Sequence, residues 1–375
     1  MRYLSQASRS KLRGVALLRL DFNAEDEWRM RAVLPTIKLL LRSGARILVV
    51  SHRGRPAFVK TSAGKPAGFD KKLSLCRDAA TLGRMLGKKV GFLPKFDFTA
   101  IKKTLNGSSA GSVFVLENIR FLKGEETKAP ELARKLAGLG DYYVNDAFAV
   151  CHRPDDSVAR IEKFLPSYAG LELEKEIETL SRVMKNPRQP LVLIIGGAKA
   201  HDKLGMLRYF KKKADKFLMG GVSANTLLKL RGTDVGKSKV DEVDGDYRAL
   251  RRFVRHPKVV LPVDYRKDRD MILDIGPKTV QMYVKIIRRA RTIIWSGPMG
   301  LIEKKKFAAG NLAVARAVAR NRRAFALTGG GETVTFLKQR KLDKKFSFIS
   351  TGGSAMLEFL AGKKLPGIVA LESSK

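Results

Sequence analysis

Short apolar runs rich in Val, Ile and Leu recur along the whole chain. Each ends in a charged or glycine-rich tip, and most are followed by apolar residues at helical spacing. Runs this short and this uniformly apolar read as strands buried on both faces rather than as helices. Their alternation with helix patterns predicts an α/β fold built on parallel sheet with right-handed crossovers. In such sheets ligands bind beyond the carboxyl ends of the strands, so the tips are where function is written.

In the first half the tips are charged. The run from Val15 ends in Asp21 and Asn23, Arg46–Ser51 ends in His52 and Arg55, and Ser112–Leu116 leads to Arg120. Arg29 and Arg153 lie close by in sequence. Trp28–Ser43 reads as a helix closed by Gly44, and Ser74 reads as the N-cap of a helix to Leu86. Strands are predicted at Lys89–Phe92 and Asp141–Asn145, with a helix from Pro130 to about Gly138. A lone arginine at a strand end is usually a solvated charge or a cap partner. Basic residues recurring at successive strand ends describe a site for a small, multiply anionic molecule.

The second half has glycine at its tips. Leu191–Ile195 ends in Gly196-Gly197, and Lys199 and Lys203 follow four apart, on one face of the next helix. Positive charge near a helix N-terminus opposes the macrodipole and makes sense beside a bound anion. The stretch matches neither the G-x-x-x-x-G-K-[ST] nor the G-x-G-x-x-G pattern, so alone it is either a phosphate site or an ordinary strand-to-helix turn. Four more glycine tips follow, at Gly220-Gly221, Gly297–Gly300, Gly329–Gly331 and Gly352-Gly353. Such a set suggests a nucleotide over exposed backbone with its phosphates at helix N-termini. Glu332 fits either an ordinary first-turn carboxylate or a Mg²⁺ ligand. Between the halves, Tyr168–Met184 reads as a connecting helix, acidic at its start and basic at its end, stopped by Pro187 and Pro190.

The chain carries 74 basic and 36 acidic residues, a net charge of +38. Such a field steers anions and favours non-specific nucleic-acid contact, but no RNP-like or zinc-finger pattern accompanies it. No apolar run approaches the ~20 residues of a membrane span, and the N-terminal run is too short for a signal peptide. Two cysteines, Cys76 and Cys151, are too few for a disulfide framework, which points to a cytoplasmic setting.

Taken together, Asp21-Phe-Asn, Arg29-x-Arg-x-x-x-Pro-Thr-Ile, Ser51-His-x-Gly-Arg-Pro, Leu116-Glu-Asn-x-Arg-Phe and Val144-Asn-Asp-Ala-Phe-x-x-x-His-Arg153 resemble the N-terminal signatures of the phosphoglycerate kinase family. Gly196-Gly-Ala-Lys-x-x-Asp-Lys203, Asp274-Ile-Gly-Pro-Lys, Gly297-Pro-Met-Gly, Gly329-Gly-Gly-x-Thr and Ser350-Thr-Gly-Gly resemble its C-terminal ones. The resemblance implies two Rossmann-like domains, each a parallel sheet covered by helices on both faces, joined by a hinge with a connecting helix. The boundaries expected are 1–167 for phosphoglycerate binding, 168–186 for the connecting helix, 187–355 for nucleotide binding, and 356–375 returning to the first domain. It also implies a reversible glycolytic transfer of the acyl phosphate of 1,3-bisphosphoglycerate to Mg-ADP, giving 3-phosphoglycerate and Mg-ATP, by a cytoplasmic monomer in a closed interdomain cleft. Asp21, Asn23, Arg29, His52, Arg55, Arg120 and Arg153 would hold the phosphoglycerate. Gly197, Lys199, Lys203, Gly221, Ser296, Glu303, Gly329, Gly330, Gly331, Glu332 and Thr333 would serve the nucleotide, with Glu332 on the metal. Arg29 and Lys199 would act on the migrating phosphoryl group.

The sequence departs from the family pattern mainly on the nucleotide side. Glu332 stands for Asp, Ser296 for Asn and Val222 for Gly, while Asp155 adds an acid beside the anion site and Ser354 replaces a third glycine. A slow or inactive homologue, or a basic protein associated with nucleic acid, are the alternatives these features leave open.

Overall fold

The computed structural model describes residues 1–23, 27–56, 70–126, 130–198, 200–241 and 247–374, without the side chains of residues 200, 201 and 247–249. The chain divides into two compact units, Met1–Ile177 with Lys364–Lys375, and Glu178–Lys363.

The first unit runs β1 (Val15–Arg19), α1 (Trp28–Arg42), β2 (Arg46–Val50), α2 (Cys76–Leu86), β3 (Gly91–Leu93), α3 (Phe98–Asn106) and β4 (Val113–Leu116). It continues with α4 (Pro130–Ala137), β5 (Tyr142–Asn145), α5 (Asp156–Ala159) and β6 (Ser167–Ala169). The six strands are all parallel, in the order β3-β4-β2-β1-β5-β6. The chain winds outward in both directions from β1, so the topological switch point lies at its carboxyl end, where Asp21 and Asn23 follow. Every residue of β1 is buried, as expected of a central parallel strand.

Helix α6 (Leu171–Lys185) contains the boundary between the units. It starts later than Tyr168, because Ser167–Ala169 pairs with β5 as an edge strand. Gly170 then turns the chain, and Asp146 Oδ1 accepts from the Leu173 amide at 2.8 Å, capping the helix. The N-cap expected at Ser74 falls one residue later, and the Ser74 hydroxyl accepts from the Cys76 amide at 3.3 Å. Helix α2 starts at Cys76 with Leu75 at its N-cap. The Ser74 hydroxyl and the Leu75 amide are both held by the buried Glu117 carboxylate, at 2.7 and 2.9 Å.

The second unit runs β7 (Leu191–Ile195), α7 (Ala200–Phe210), β8 (Lys216–Met219), α8 (Gly221–Leu230), α9 (Tyr247–Val254), β9 (Val259–Val260), β10 (Tyr265–Asp268) and β11 (Met271–Ile275). Then come α10 (Pro277–Arg289), β12 (Thr292–Ser296), α11 (Ala309–Arg320), β13 (Phe325–Gly329), α12 (Gly331–Gln339), β14 (Phe348–Ser350) and α13 (Ser354–Leu360). Its main sheet is again six parallel strands, in the order β14-β13-β12-β7-β8-β9, with the switch point at β7 and Gly196-Gly197 at its tip. The antiparallel hairpin β10–β11 is not signalled by the strand–helix alternation. The last helix, α14 (Pro366–Ser373), belongs to the first unit and packs on α5. There the Gly367 amide donates to Cys151 O at 2.9 Å. Residues 356–363 lie with the second unit, so the returning segment is shorter than the one expected from 356.

Candidate active site

In the first unit, side chains make the site. Arg29 Nη1 donates to Asp21 Oδ2 at 2.7 Å and to Asn23 O at 3.1 Å, which fixes the first turn of α1 to the tip of β1. Asn23 Oδ1 accepts from the Gly54 amide at 2.9 Å, joining the tips of β1 and β2. Arg120, only 3% exposed, donates through Nη1 to Gly54 O at 2.6 Å. Arg55 differs from the rest: its side chain is 71% exposed, and Nε lies 3.8 Å from Glu126 Oε1. That same oxygen lies 3.7 Å from Arg120 Nε.

His52 is buried at the centre of these groups, and Arg19 Nη2 lies 3.3 Å from its Nδ1. A guanidinium only donates, so Nδ1 accepts and the ring proton sits on Nε2. Burial, followed by the positive charges of Arg19, Arg120, Arg153 and Arg29, holds the imidazole pKa well below its ordinary value. His52 is therefore a neutral donor through Nε2 at physiological pH. Burial, with Arg153 next, lowers Arg120 to about 10, which still leaves it cationic.

Arg19 is the residue that sequence reading missed. It is fully buried, donating through Nε to Ser157 Oγ at 2.8 Å and through Nη1 to Leu20 O. Its position inside an apolar strand was the available signal, since a buried arginine there needs partners. One of these is Glu125, 4.0 Å away, whose pKa burial raises to about 7 against the opposing pull of Arg19 and Ser157. Asp155, the acid foreign to the family pattern, is buried 3.9 Å from Arg120 Nη2, and burial raises its pKa.

Several buried donors in this cluster have no hydrogen-bond partner among the described residues: Arg29 Nε, Arg120 Nε and Nη2, and Arg153 Nη1. Buried polar groups are nearly always satisfied, so donors left open among the described residues on these cations suit an anionic ligand.

In the second unit, backbone makes the site. The tips of β7, β8 and β12 interlock through main-chain bonds. The Gly197 amide donates to Pro298 O at 2.6 Å, the Gly221 amide to Met299 O at 2.8 Å, and the Gly196 amide to Ser296 O at 2.9 Å. A Cβ on Gly221, whose φ is +55°, would lie 2.7 Å from Gly197 N. These glycines serve tip-to-tip packing, and their amides are already used. Trp295 Nε1 donates to Gly297 O at 2.8 Å and pins the same turn, while Ser296 is buried at the end of β12.

The tip of β13 is different. Gly330 caps α12 with φ +97°, and neither Gly330 nor Gly331 would bring a Cβ within 4 Å of any described residue. The first turn of α12 thus presents bare backbone, with Glu332 exposed and the Thr333 hydroxyl buried and unpartnered. Gly329 packs against Met356 instead. Lys203 is buried, with Nζ donating to Gly196 O and, at 2.7 Å, to Ala198 O. Burial lowers its pKa to about 8, opposed by Asp241, Asp202 and Glu332. It braces the glycine turn. Lys199 lies outside the described residues. A cavity of about 270 Å³ opens beside these tips, bordered by Gly197, Gly221, Val222, Tyr265, Glu303 and Glu332. Val222 therefore adds its side chain to the cavity wall.

The sequence of residues 13–363 matches the family model for phosphoglycerate kinase. The chain belongs to the phosphoglycerate kinase family. It is accordingly an enzyme, a phosphotransferase of glycolysis. Among curated relatives, the phosphoglycerate kinase of Dictyoglomus turgidum is 38% identical over 385 residues, covering 95% of each chain. That of Desulforapulum autotrophicum is 41% identical over 387 residues, covering 95% of this chain and 96% of the relative. Among solved structures, phosphoglycerate kinase from Coxiella burnetii superposes with a TM-score of 0.82 at 32% identity, over 100% of this chain and 99% of that one. The enzyme from Pyrococcus horikoshii gives 0.85 at 29% identity with the same coverage. No helix among the described residues is long and apolar enough to cross a membrane.

Proposed function

We propose that this chain moves the acyl phosphate of 1,3-bisphosphoglycerate to ADP, reversibly, with the first unit holding the phosphoglycerate and the second the nucleotide. The observation that carries the reading is the set of open buried donors on Arg29, Arg120 and Arg153, which suits a ligand bearing several negative oxygens. Neutral His52, donating through Nε2, adds a hydrogen bond without further charge. On the nucleotide side, the bare first turn of α12 suits phosphate oxygens.

The attacking ADP oxygen is already anionic, so no general base is needed. Phosphoryl transfer then depends on alignment and on neutralising the migrating group. We assign Arg29 and Lys199 to that group. The donor set fits Mg²⁺: Glu332 and Glu303 border one cavity next to the bare helix turn, and this ion takes one or two carboxylates together with phosphate oxygens. When bound, Mg²⁺ would neutralise phosphate charge, with Glu332 as its protein ligand. A glycolytic family and two unpaired cysteines support a cytoplasmic enzyme, and we take it to act as a monomer.

The test is ATP formation from 1,3-bisphosphoglycerate and Mg-ADP, followed by a coupled assay. A charge-assisted contact contributes about 1.5–3 kcal/mol, so Lys199→Ala is expected to lower the rate on the order of 10²-fold. Wild-type ATP formation no higher than that of Lys199→Ala would overturn the reading.

A further inference from the structure

A second cavity in the nucleotide unit, of about 550 Å³, lies between α10 and α11. Arg288, Arg316, Arg320, Arg322 and Arg323 surround it, over a floor that includes Val284 and Ala317. It shares no residue with the cavity beside the glycine tips. Arg288 lies in the last turn of α10, just before β12, and Arg320 closes α11 just before β13, so the cavity sits at the amino ends of those strands. The glycine tips lie at their carboxyl ends, roughly 16 Å away along five residues of strand.

The arginines are positioned by a fixed frame. Asn321 Nδ2 donates to Ile287 O at 2.7 Å and Ala290 O at 3.0 Å, tying the end of α11 to the end of α10. Asn321 Oδ1 accepts from the Arg323 amide at 3.3 Å, which holds the loop carrying Arg322 and Arg323 in the same place. Neither helix, nor the loop from Asn321 to Arg323, contains an acidic residue. Among the described residues, none of the five guanidiniums has a carboxylate partner.

Basic residues at helix C-termini offset the macrodipole, which accounts for Arg288 and Arg320. Arg316 needs another reason, because it stands four residues before Arg320 on one helix face, a like-charge spacing that disfavours the helix. Arg322 and Arg323 then bring two more charges to the same concavity. Arginine forks match phosphate oxygens bidentately, and so many around one hollow suit linked phosphates rather than a single carboxylate. The lining contains no aromatic residue, so nucleobases have nothing to stack on. The hollow is also compact, whereas a nucleic-acid backbone calls for an extended stripe.

We propose that this cavity binds a compact polyphosphate anion, a short chain of linked phosphates, separately from the catalytic nucleotide. The probe is inorganic tripolyphosphate, titrated calorimetrically into the full chain with ADP and 3-phosphoglycerate saturating, so that both substrate sites are filled. One saturable site is expected. Its affinity should fall at least tenfold in Arg316→Gln/Arg320→Gln and in the loop variant Arg322→Gln/Arg323→Gln. The control Lys285→Gln, on α10 but outside the lining, should leave it unchanged. All the changed side chains are exposed, and thermal melting checks that each variant folds. No tripolyphosphate binding with the substrate sites filled, or wild-type affinity retained in either arginine variant, overturns the proposal. So does a 20-base-pair DNA duplex that binds more tightly than tripolyphosphate through these same arginines, since the surface is then a nucleic-acid contact.

Discussion

The two candidate ligand regions are built from opposite materials. In the first unit, Arg29, Arg120 and Arg153 lie around His52 with donors open among the described residues. In the second, the Gly197 and Gly221 amides are spent on Pro298 O and Met299 O, and the bare backbone is presented at the start of α12. One region keeps charged side chains in reserve; the other consumes most of its glycines to hold a shape. A glycine tip therefore has two meanings, and only the geometry separates them.

Alanine at Gly221 and at Gly331 should have opposite effects. Gly221→Ala puts a side chain at φ +55° against Gly197 N and should lower the stability of the second unit by about 1–3 kcal/mol. Gly331→Ala meets nothing and should leave stability unchanged or raise it by roughly 0.4–1 kcal/mol, while raising the KM for ADP. Urea unfolding and steady-state kinetics on both variants check this; equal destabilisation would mean the two tips do the same job.

Lys203 sharpens the comparison through pH. Its folded pKa of about 8 lies below the ordinary lysine value, so its charge is lost as pH rises through 8. The KM for ADP should rise several-fold from pH 7 to 9, and Lys203→Met should remove that slope. The sign for stability is opposite. Between pH 8 and the ordinary lysine range the unfolded chain binds more protons, so this group's contribution to stability rises with pH.

The smallest effect is expected from Glu332→Asp. A carboxylate remains in the first turn of α12, so Mg²⁺-dependent activity should be kept or raised. A large fall in the Mg²⁺ titration would remove Glu332 from the metal.

The strands were legible because apolar runs and their tips are local patterns. The residues of the first unit's candidate site could be picked out for the same reason, since Asp21, His52 and Arg120 each follow a recognisable strand. Arg19 was not, because its role comes from Ser157, Leu20 and Glu125 meeting it in the folded unit. Edge strand β6 was read as the start of α6, since three residues carry too little periodicity to separate from the helix after them. The division of labour among the glycines was also hidden, because it depends on the turn at Gly297–Met299 packing against two other tips.

We propose that the open donors of the first unit hold phosphoglycerate without help from the nucleotide. Calorimetric titration of 3-phosphoglycerate into wild type and Arg120→Met, with no nucleotide present, tests it. One site is expected in the wild type, weakened on the order of 10²-fold in the variant, since two open charged donors are removed. Equal affinity in the two proteins would contradict the account.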